Sequence, residues 1–140
     1  MPEEENKTIA YQFFKKVWNQ GNMDAMQELM INDIKVHTGS QNFMGIDRYK
    51  DYILAYRKAF PDVKFTFEDQ IAEGDKVVDF FTIREAYKGE LQGIPPTDRS
   101  FEIKGIAIIQ IKNNKMVEIW GVFDALGMMR QIGAVPPAKQ

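Results

Sequence analysis

Apolar residues in the first half of the chain recur every three or four positions, which is the spacing that predicts helices. The predicted helices are a long one from about Glu4 to Asn19, a short one around Met23–Met30 and a third over about Ile46–Phe60. Gly21 can end the first helix in a left-handed conformation, and Pro61 ends the third. The stretch 33–38 between the second and third helices predicts a short strand, followed by a loop.

After residue 62 the pattern changes to an alternation of apolar and polar residues, which is typical of strands. The predicted strands cover 63–71, 76–87, 101–112 and 115–124, and a last short helix covers 125–133. Phe65, Phe67 and Ile71 fall on one face of the first of these strands, and Asp69 is the one break in its alternation. Asn113–Asn114 predicts a tight hairpin turn between the last two strands.

Helices followed by long antiparallel strands predict an α+β domain, in which a helical layer packs on one face of a curved sheet. The 140 residues suit a single domain over 1–140. Phe80–Phe81 and Ile106–Ile109 place apolar bulk on both faces of the sheet, so the face without helices also needs a cover. We predict that a second copy of the chain provides it in a homodimer; the alternative is a cover formed by the C-terminal segment.

Composition and charge remove several classes of function. The net charge is −2 and the basic residues are scattered, so we expect no nucleic-acid partner. One histidine and no cysteine disfavour a zinc site, and we expect no metal and no other cofactor. No stretch approaches the roughly 18 uncharged apolar residues of a membrane helix. The acidic N-terminus has no apolar signal core, so we expect a cytoplasmic protein without a membrane partner.

Four stretches, in this order, carry a resemblance to a known family: FFKKVWNQGNMDAMQELM, AFPDVKFTFEDQIAEGDKVV, KGELQGIPPT and VEIWGVFDALGMMRQIGA. They are similar to the SnoaL-like polyketide (ester) cyclases of the nuclear-transport-factor-2-like superfamily. The resemblance implies a cone-like α+β barrel with the N-terminal helices on the concave face of a curved, mostly antiparallel sheet. It also implies a dimer, a deep apolar pocket between helices and sheet, and aldol cyclisation without a metal or organic cofactor.

Asp124 is the residue to which the resemblance assigns the role of general acid/base on the last strand. The sequence alone offers a second role, because Asp124 directly precedes the last helix and aspartate is a preferred N-cap. The two roles can coexist, although capping favours the charged carboxylate and an apolar pocket raises a carboxyl pKa. Both interpretations stay open at this stage.

Two further residues are candidates for the catalytic set. Tyr87 stands where many relatives carry the histidine of a GTH triplet, and it can donate a hydrogen bond to a developing enolate. Arg84 can orient a substrate carbonyl or carboxylate, or it can form a surface ion pair with Glu85 or Glu102.

The predicted ligand-binding residues are Trp120, Phe14, Trp18, Tyr56, His37 and Ile94. The helical aromatic residues are either core or pocket wall, and Ile94 belongs to the proline-stiffened stretch 93–97 that would form the lip. Trp120 and Glu118 share a strand face with Asp124. Trp120 is roughly 13 Å from Asp124 along the strand and forms either a ligand wall or core. Alternation groups His37 with Lys35, which predicts an exposed or rim position.

These observations predict a cofactor-independent acid/base enzyme that acts on an apolar, enolisable carbonyl compound. The expected reaction is either a polyketide cyclase-like aldol cyclisation or a ketosteroid isomerase-like proton transfer, with Asp124, Tyr87 and Arg84 as the catalytic residues. Two alternatives are a non-catalytic dimer of the same fold that binds a small molecule, and a protein-interaction scaffold.

Overall fold

The structure is a computed structural model that describes residues 2–86 and 99–134. The helical elements are α1 (Pro2–Gln12), a π-helix (Phe13–Asn19), α2 (Ala25–Leu29), α3 (Ile46–Ala59) and α4 (Ala125–Gln131). The strands are β1 (Met30–His37), β2 (Asn42–Met44), β3 (Lys64–Glu73), β4 (Lys76–Ala86), β5 (Ser100–Lys112) and β6 (Lys115–Phe123). In this described part, no helix is long and apolar enough to cross a membrane.

The strands form one curved, unclosed sheet in the order β2-β1-β6-β5-β4-β3. Neighbouring strands are antiparallel except for β1 and β6, which are parallel. The helical layer packs on one face, where α1 and the π-helix contact β3 and α1 also contacts β4. The predicted fold class, α+β with N-terminal helices on a curved and mostly antiparallel sheet, is confirmed.

The two faces of the sheet differ sharply. The inner face, which meets the helices, carries buried side chains such as Phe81, Ile103 and Ile109. The outer face carries apolar side chains that remain more than a third exposed: Ile71, Phe80, Ile106, Ile108 and Val122. The outer face is therefore the uncovered apolar surface that the strand composition predicts.

A β-bulge explains the break that the sequence shows at Asp69. The register of β3 against β4 shifts between Phe67 and Asp69, so one extra residue is inserted into β3. Phe65 and Phe67 lie on the inner face before the bulge, whereas Ile71 lies on the outer face after it and is 60% exposed. The prediction that Ile71 shares a face with Phe65 is therefore wrong, because the bulge reverses the alternation.

Two other elements differ from the prediction. The first helix begins at Pro2, and at Phe13 it changes from α to π geometry, in which Gln20 N–H bonds to Lys15 O at 3.0 Å. The segment predicted as a loop contains the short edge strand β2, which pairs with β1. The predicted hairpin turn is confirmed, since Asn113 and Asn114 have φ values of 51° and 63°, as a type I′ turn requires.

Candidate functional site

A cavity of about 80 Å³ lies between the helices and the inner face of the sheet. This volume is several times the roughly 10–15 Å³ that one water molecule requires by the same measure. Its walls are mainly aromatic and aliphatic, and include Phe14, Trp18, Tyr49, Tyr52, Tyr56, Phe60, Phe65, Phe81, Ile83, Ile103, Ile119, Phe123 and Met128. Phe14, Trp18 and Tyr56, the helical aromatic residues chosen from the sequence, all belong to this lining.

Three tyrosines of α3 bring hydroxyl groups to this apolar cavity. Tyr49, Tyr52 and Tyr56 are three and four residues apart, so they follow one face of the helix. Burial raises the pKa of all three phenols, which keeps them neutral at physiological pH. They can therefore donate hydrogen bonds to a ligand, but they do not act as bases.

The tyrosine hydroxyls are also ordered by hydrogen bonds. The Trp18 side chain bonds to Tyr49 and partly opposes the rise of its pKa, as a donor to the phenol oxygen does. Tyr52 and Tyr56 share a side-chain hydrogen bond, which opposes the rise that burial causes in the pKa of Tyr56.

The π-helix, which carries Phe14 and Trp18, is held in place by hydrogen bonds between side chains and the backbone of neighbouring elements. Asn19 at the end of the π-helix accepts a hydrogen bond from Phe65 N–H at 2.7 Å and donates to Phe65 O at 3.0 Å. The Arg57 guanidinium donates to the Trp18 carbonyl. These bonds attach the π-helix to the edge of β3 and to α3, which sets the position of the Trp18 indole.

Asp124 is the N-cap of α4, as one of its two predicted roles requires. Its Oδ1 accepts a hydrogen bond from Gly127 N–H at 2.8 Å, and the residue is exposed. The carboxylate lies so close to Gly127 that a Cβ there would be 2.1 Å from Oδ2. Phe123 and Met128, which flank the cap in the chain, line the cavity, whereas Asp124 itself does not. The carboxylate is therefore exposed and lies outside the cavity lining, although its neighbours in the chain belong to it.

Trp120 lies on the face of β6 opposite to the cavity. Ile119, Gly121 and Phe123 point to the cavity, so the intervening Trp120 points to the outer face. The indole is half-buried and stacks on the His37 ring, with centroids 5.3 Å apart and planes 13° apart. Trp120 and Asp124 do share a face, as predicted, but this face does not form the cavity wall.

His37 lies at the cavity rim, as the alternation predicts, and holds three strands together. Its Nδ1 is 2.6 Å from Asn42 Oδ1 on β2, and its Nε2 is 2.6 Å from Glu118 Oε2 on β6. These two side chains, Asn42 first, raise the pKa of His37 above its usual value. Both partners are acceptors, so the doubly protonated ring satisfies both bonds. Glu118 is thus part of a partly buried ion pair.

Arg84 is exposed on the outer face and forms the ion pair with Glu102 that is one of its two predicted roles. Its guanidinium therefore lies on the side of the sheet away from the cavity. Tyr87 and Ile94 fall outside the described residues. In the described ranges, no three side chains of His, Asp and Glu come close enough together to hold a metal ion.

The sequence interpretation missed the hydroxyls of Tyr49 and Tyr52 and the close approach at Gly127. The prediction includes Tyr56 as a ligand-binding residue but neither Tyr49 nor Tyr52, although three phenols on one helical face signal polar groups inside a core. The Asp-x-x-Gly spacing of Asp124 and Gly127 indicated that the carboxylate packs against a helical residue that has no side chain.

A curved sheet with helices on its concave face and an aromatic cavity between them defines a nuclear-transport-factor-2-like domain. The family model described as SnoaL-like polyketide cyclase matches residues 8–132. The chain therefore belongs to the SnoaL-like polyketide cyclase family. The comparison with curated proteins gives no match.

Solved structures with the same fold span nearly the whole chain. A protein from Jannaschia sp. CCS1 assigned as a SnoaL-like polyketide cyclase has 23% identity and a TM-score of 0.89, covering 96% of this chain and 95% of its own. One from Acidithiobacillus ferrooxidans assigned as a polyketide cyclase has 26% identity and a TM-score of 0.85, covering 93% and 95%. AclR from Streptomyces galilaeus, assigned as a hydroxylase, has 21% identity and a TM-score of 0.87, covering 99% and 87%. The fold thus accompanies more than one assigned chemistry.

Proposed function

We propose that the chain is a cofactor-independent acid/base enzyme of the cyclase type that acts on an apolar, enolisable carbonyl compound. The observation that carries the proposal is the aromatic cavity, which combines hydrocarbon walls with the tyrosine hydroxyls of α3. A ligand with an aromatic ring and carbonyl oxygens is complementary to this lining, because its ring packs on the walls while its oxygens accept hydrogen bonds.

In the proposed step, the Asp124 carboxylate removes a proton from the carbon between two carbonyl groups. The electron pair of the broken C–H bond moves onto a carbonyl oxygen and forms an enolate. The enolate carbon then attacks another carbonyl of the same molecule in an aldol cyclisation, in which the π electrons of that carbonyl move onto its oxygen and the oxygen takes the proton from Asp124. In an isomerisation, Asp124 instead returns the proton to a different carbon. A carboxylate is a weak base towards carbon acids in general, so this step needs a C–H that two flanking carbonyls already activate.

The enolate oxygen needs a hydrogen-bond donor that does not lose its own proton. Tyr56 suits this role, because it lines the cavity and burial raises the pKa of its phenol, so it keeps its proton while it donates. Tyr87 stays in the proposal as a second donor. Arg84 is left out of the step because it pairs with Glu102 on the outer face.

The proposal is tested by hydrogen–deuterium exchange of the acidic C–H of benzoylacetone, a small aromatic 1,3-diketone, followed by proton NMR. The wild-type protein should accelerate this exchange above the buffer rate. Asp124→Asn should reduce the acceleration about 100-fold or more, the usual contribution of a general base. Asp33→Asn removes an exposed acid of β1 and should leave the rate unchanged. Full exchange activity in Asp124→Asn would exclude Asp124 as the base.

A second function is favoured by a specific feature of the cavity: the described residues that line it include no carboxylate. In this alternative the chain binds an apolar ligand without changing it. Binding of 2-naphthol, which has no acidic C–H, should then raise the melting temperature while the exchange of benzoylacetone stays at the buffer rate. An accelerated exchange that Asp124→Asn abolishes would rule this alternative out.

We also propose that two copies of the chain associate through the outer face. Ile106, Ile108 and Val122 are 45%, 37% and 56% exposed and lie on the paired strands β5 and β6. An apolar patch of this kind on a sheet marks an interaction surface, and a second identical patch is its simplest complement. A different protein seated on this face would correspond to the scaffold alternative.

The oligomeric state is measured by sedimentation velocity. The wild type should sediment as a dimer, and Ile106→Lys should shift it toward the monomer, because a lysine would be buried without a partner. Leu54→Lys is the matched control. Leu54 is 44% exposed and Ile106 is 45% exposed, but Leu54 lies on α3, away from the outer face. A monomeric wild type would contradict the dimer.

A further inference from the structure

Asp79 is an acidic residue that the fold buries completely. It lies on the inner face of β4, between Gln70 on β3 and Ala107 on β5. Neither carboxyl oxygen has a hydrogen-bond partner among the described residues. Buried polar groups in folded proteins are almost always hydrogen-bonded, so this carboxyl group is an exception that calls for an explanation.

Helix α1 packs on the part of the sheet that contains Asp79. It contacts both β3 and β4, and its buried residues are Asn6 and Ala10, out of the 11 residues that it contains. Among the described residues, a hydrogen bond from Gln70 Nε2 to the Lys7 carbonyl at 3.0 Å joins it to the sheet, and Tyr11 packs on Phe67 of β3 with ring centroids 5.5 Å apart. Because only two residues of α1 are buried, the helix can separate from the sheet while the core stays folded.

The groups around Asp79 offer its carboxylate little stabilisation. From β3, the Gln70 amide donates one N–H to the Lys7 carbonyl of α1, and its side chain is the group that opposes the rise of the Asp79 pKa; from β5, Ala107 has no polar side-chain group. From α1, the Lys7 ammonium pairs with Glu4 at 3.6 Å. Burial therefore dominates and raises the pKa of Asp79 to about 7, and only the Gln70 side chain opposes this rise.

Helix α1 leads directly into one wall of the cavity. The last residue of α1, Gln12, is followed by the π-helix, whose Phe14 and Trp18 form one cavity wall. Phe14 also packs on Phe81, two residues after Asp79 on the same face of β4, with ring centroids 5.3 Å apart. The buried carboxyl and the cavity wall are thus joined by one continuous helix and one strand.

We propose that Asp79 is a protonation-controlled latch for α1. With its proton, the carboxyl group stays dry beneath α1 and the helix is closed on the sheet. Without the proton, the carboxylate draws water under α1, and α1 is released from the sheet while the π-helix with Phe14 and Trp18 stays in the core. The latch is independent of the chemistry proposed for the cavity.

The sign and range of the effect follow from linkage. The open state has the ordinary Asp pKa of 3.8, and the closed state has a pKa of about 7. Between these values the open state releases a proton that the closed state retains, so the opening equilibrium rises about tenfold per pH unit. Above about pH 7 both states are ionised and the equilibrium is constant. Acid therefore closes the latch.

Amide hydrogen exchange measured by mass spectrometry tests the latch. After correction for the intrinsic pH dependence of exchange, the peptide covering α1 should exchange about 50-fold faster at pH 7 than at pH 5. A peptide from the centre of β5 should show no such excess. Asp79→Asn, which is neutral at every pH, should abolish the excess for α1, and Asp33→Asn, an exposed acid on β1, should retain it.

The latch is overturned if the corrected exchange of α1 is the same at pH 5 and pH 7, or if Asp79→Asn shows the wild-type excess. Should Asp79→Asn not fold, the carboxyl carbon signal of Asp79 in the wild-type protein decides by NMR. A titration midpoint above pH 6 supports the latch, and a midpoint below pH 5 overturns it.

Discussion

Two glycines on the inner face of the sheet should respond to substitution in opposite ways. A Cβ added to Gly121 meets no atom within 4 Å, and Gly121 lines the cavity. A Cβ added to Gly105 on the neighbouring strand would lie 2.5 Å from Phe81 Cε2 and 3.0 Å from Val122 O. Gly121→Val therefore fills empty space, whereas Gly105→Ala forces two packed groups apart.

The expected magnitudes follow from burial and strand propensity. Burying a valine side chain contributes about 1.5 kcal/mol, and replacing glycine inside a strand contributes about 0.5–1 kcal/mol more. After the loss of side-chain freedom, Gly121→Val should stabilise the fold by about 1–2 kcal/mol, which raises the melting temperature by about 3–6 °C. Gly105→Ala should destabilise it by about 1–3 kcal/mol, as overpacking in cores does.

Urea unfolding monitored by circular dichroism measures both changes in the free energy of unfolding. The added valine occupies the ligand space, so the melting-temperature shift caused by 2-naphthol should disappear in Gly121→Val. Gly105→Ala should keep that shift as long as the protein is folded. If Gly121→Val is destabilised as much as Gly105→Ala, there is no empty space above Gly121, and the cavity argument fails.

Three further substitutions test the rim and the wall of the cavity. Gly127→Ala should displace the Asp124 carboxylate, because the new Cβ would overlap Oδ2, and the benzoylacetone exchange rate should drop; an unchanged rate would show that the capped position is not the active one. Glu118→Gln should lower the pKa of His37, measured by NMR. In the wild type, the raised pKa of His37 stabilises the fold at a pH below the pKa of an unfolded histidine, and this stabilisation is lost as the pH rises through the pKa of folded His37; Glu118→Gln should weaken it. Asn19→Ala removes two hydrogen bonds and should cost about 1–3 kcal/mol in urea unfolding; a cost near zero would mean that the π-helix is held by packing alone.

The fold was predictable from local sequence patterns. The helical spacing before residue 60 and the alternation after residue 62 are continuous over several turns and strands, and the Asn113–Asn114 turn has the sequence that type I′ geometry requires. The bulge near Asp69 was visible only as a break, because periodicity shows that a residue is out of step but not on which face the strand continues. The π-helix had no signal, since its spacing resembles that of an α-helix.

The candidate site was predictable in part. Alternation placed Trp120 and Asp124 on one face, and a helical stripe gathered Phe14, Trp18 and Tyr56. Periodicity does not tell which face of a strand meets the helices, so the assignment of Trp120 to the ligand wall rested on the family resemblance. The side of β6 that faces the cavity is set by long-range packing, in which Ile119 and Phe123 are covered by the helical layer.

The burial of Asp79 could not be predicted from the sequence. In the sequence it is one polar residue in an apolar strand, on the same face as Val77 and Phe81, and such a residue usually indicates an edge or a solvent-exposed position. Its complete burial depends on α1, which is distant in sequence, and on Gln70, whose position is shifted by the bulge in β3. Local patterns carry no information on either.

The account rests most directly on the claim that an apolar aromatic carbonyl compound binds between the helices and the inner face. The two indole N–H signals in a ¹⁵N-edited NMR spectrum distinguish the two faces, since Trp18 lines the cavity and Trp120 lies on the outer face. Trp120→Phe assigns the signals by removing one of them. Titration with benzoylacetone should shift the Trp18 signal and leave the Trp120 signal in place. A shift confined to Trp120, or no shift of either signal, would contradict the account.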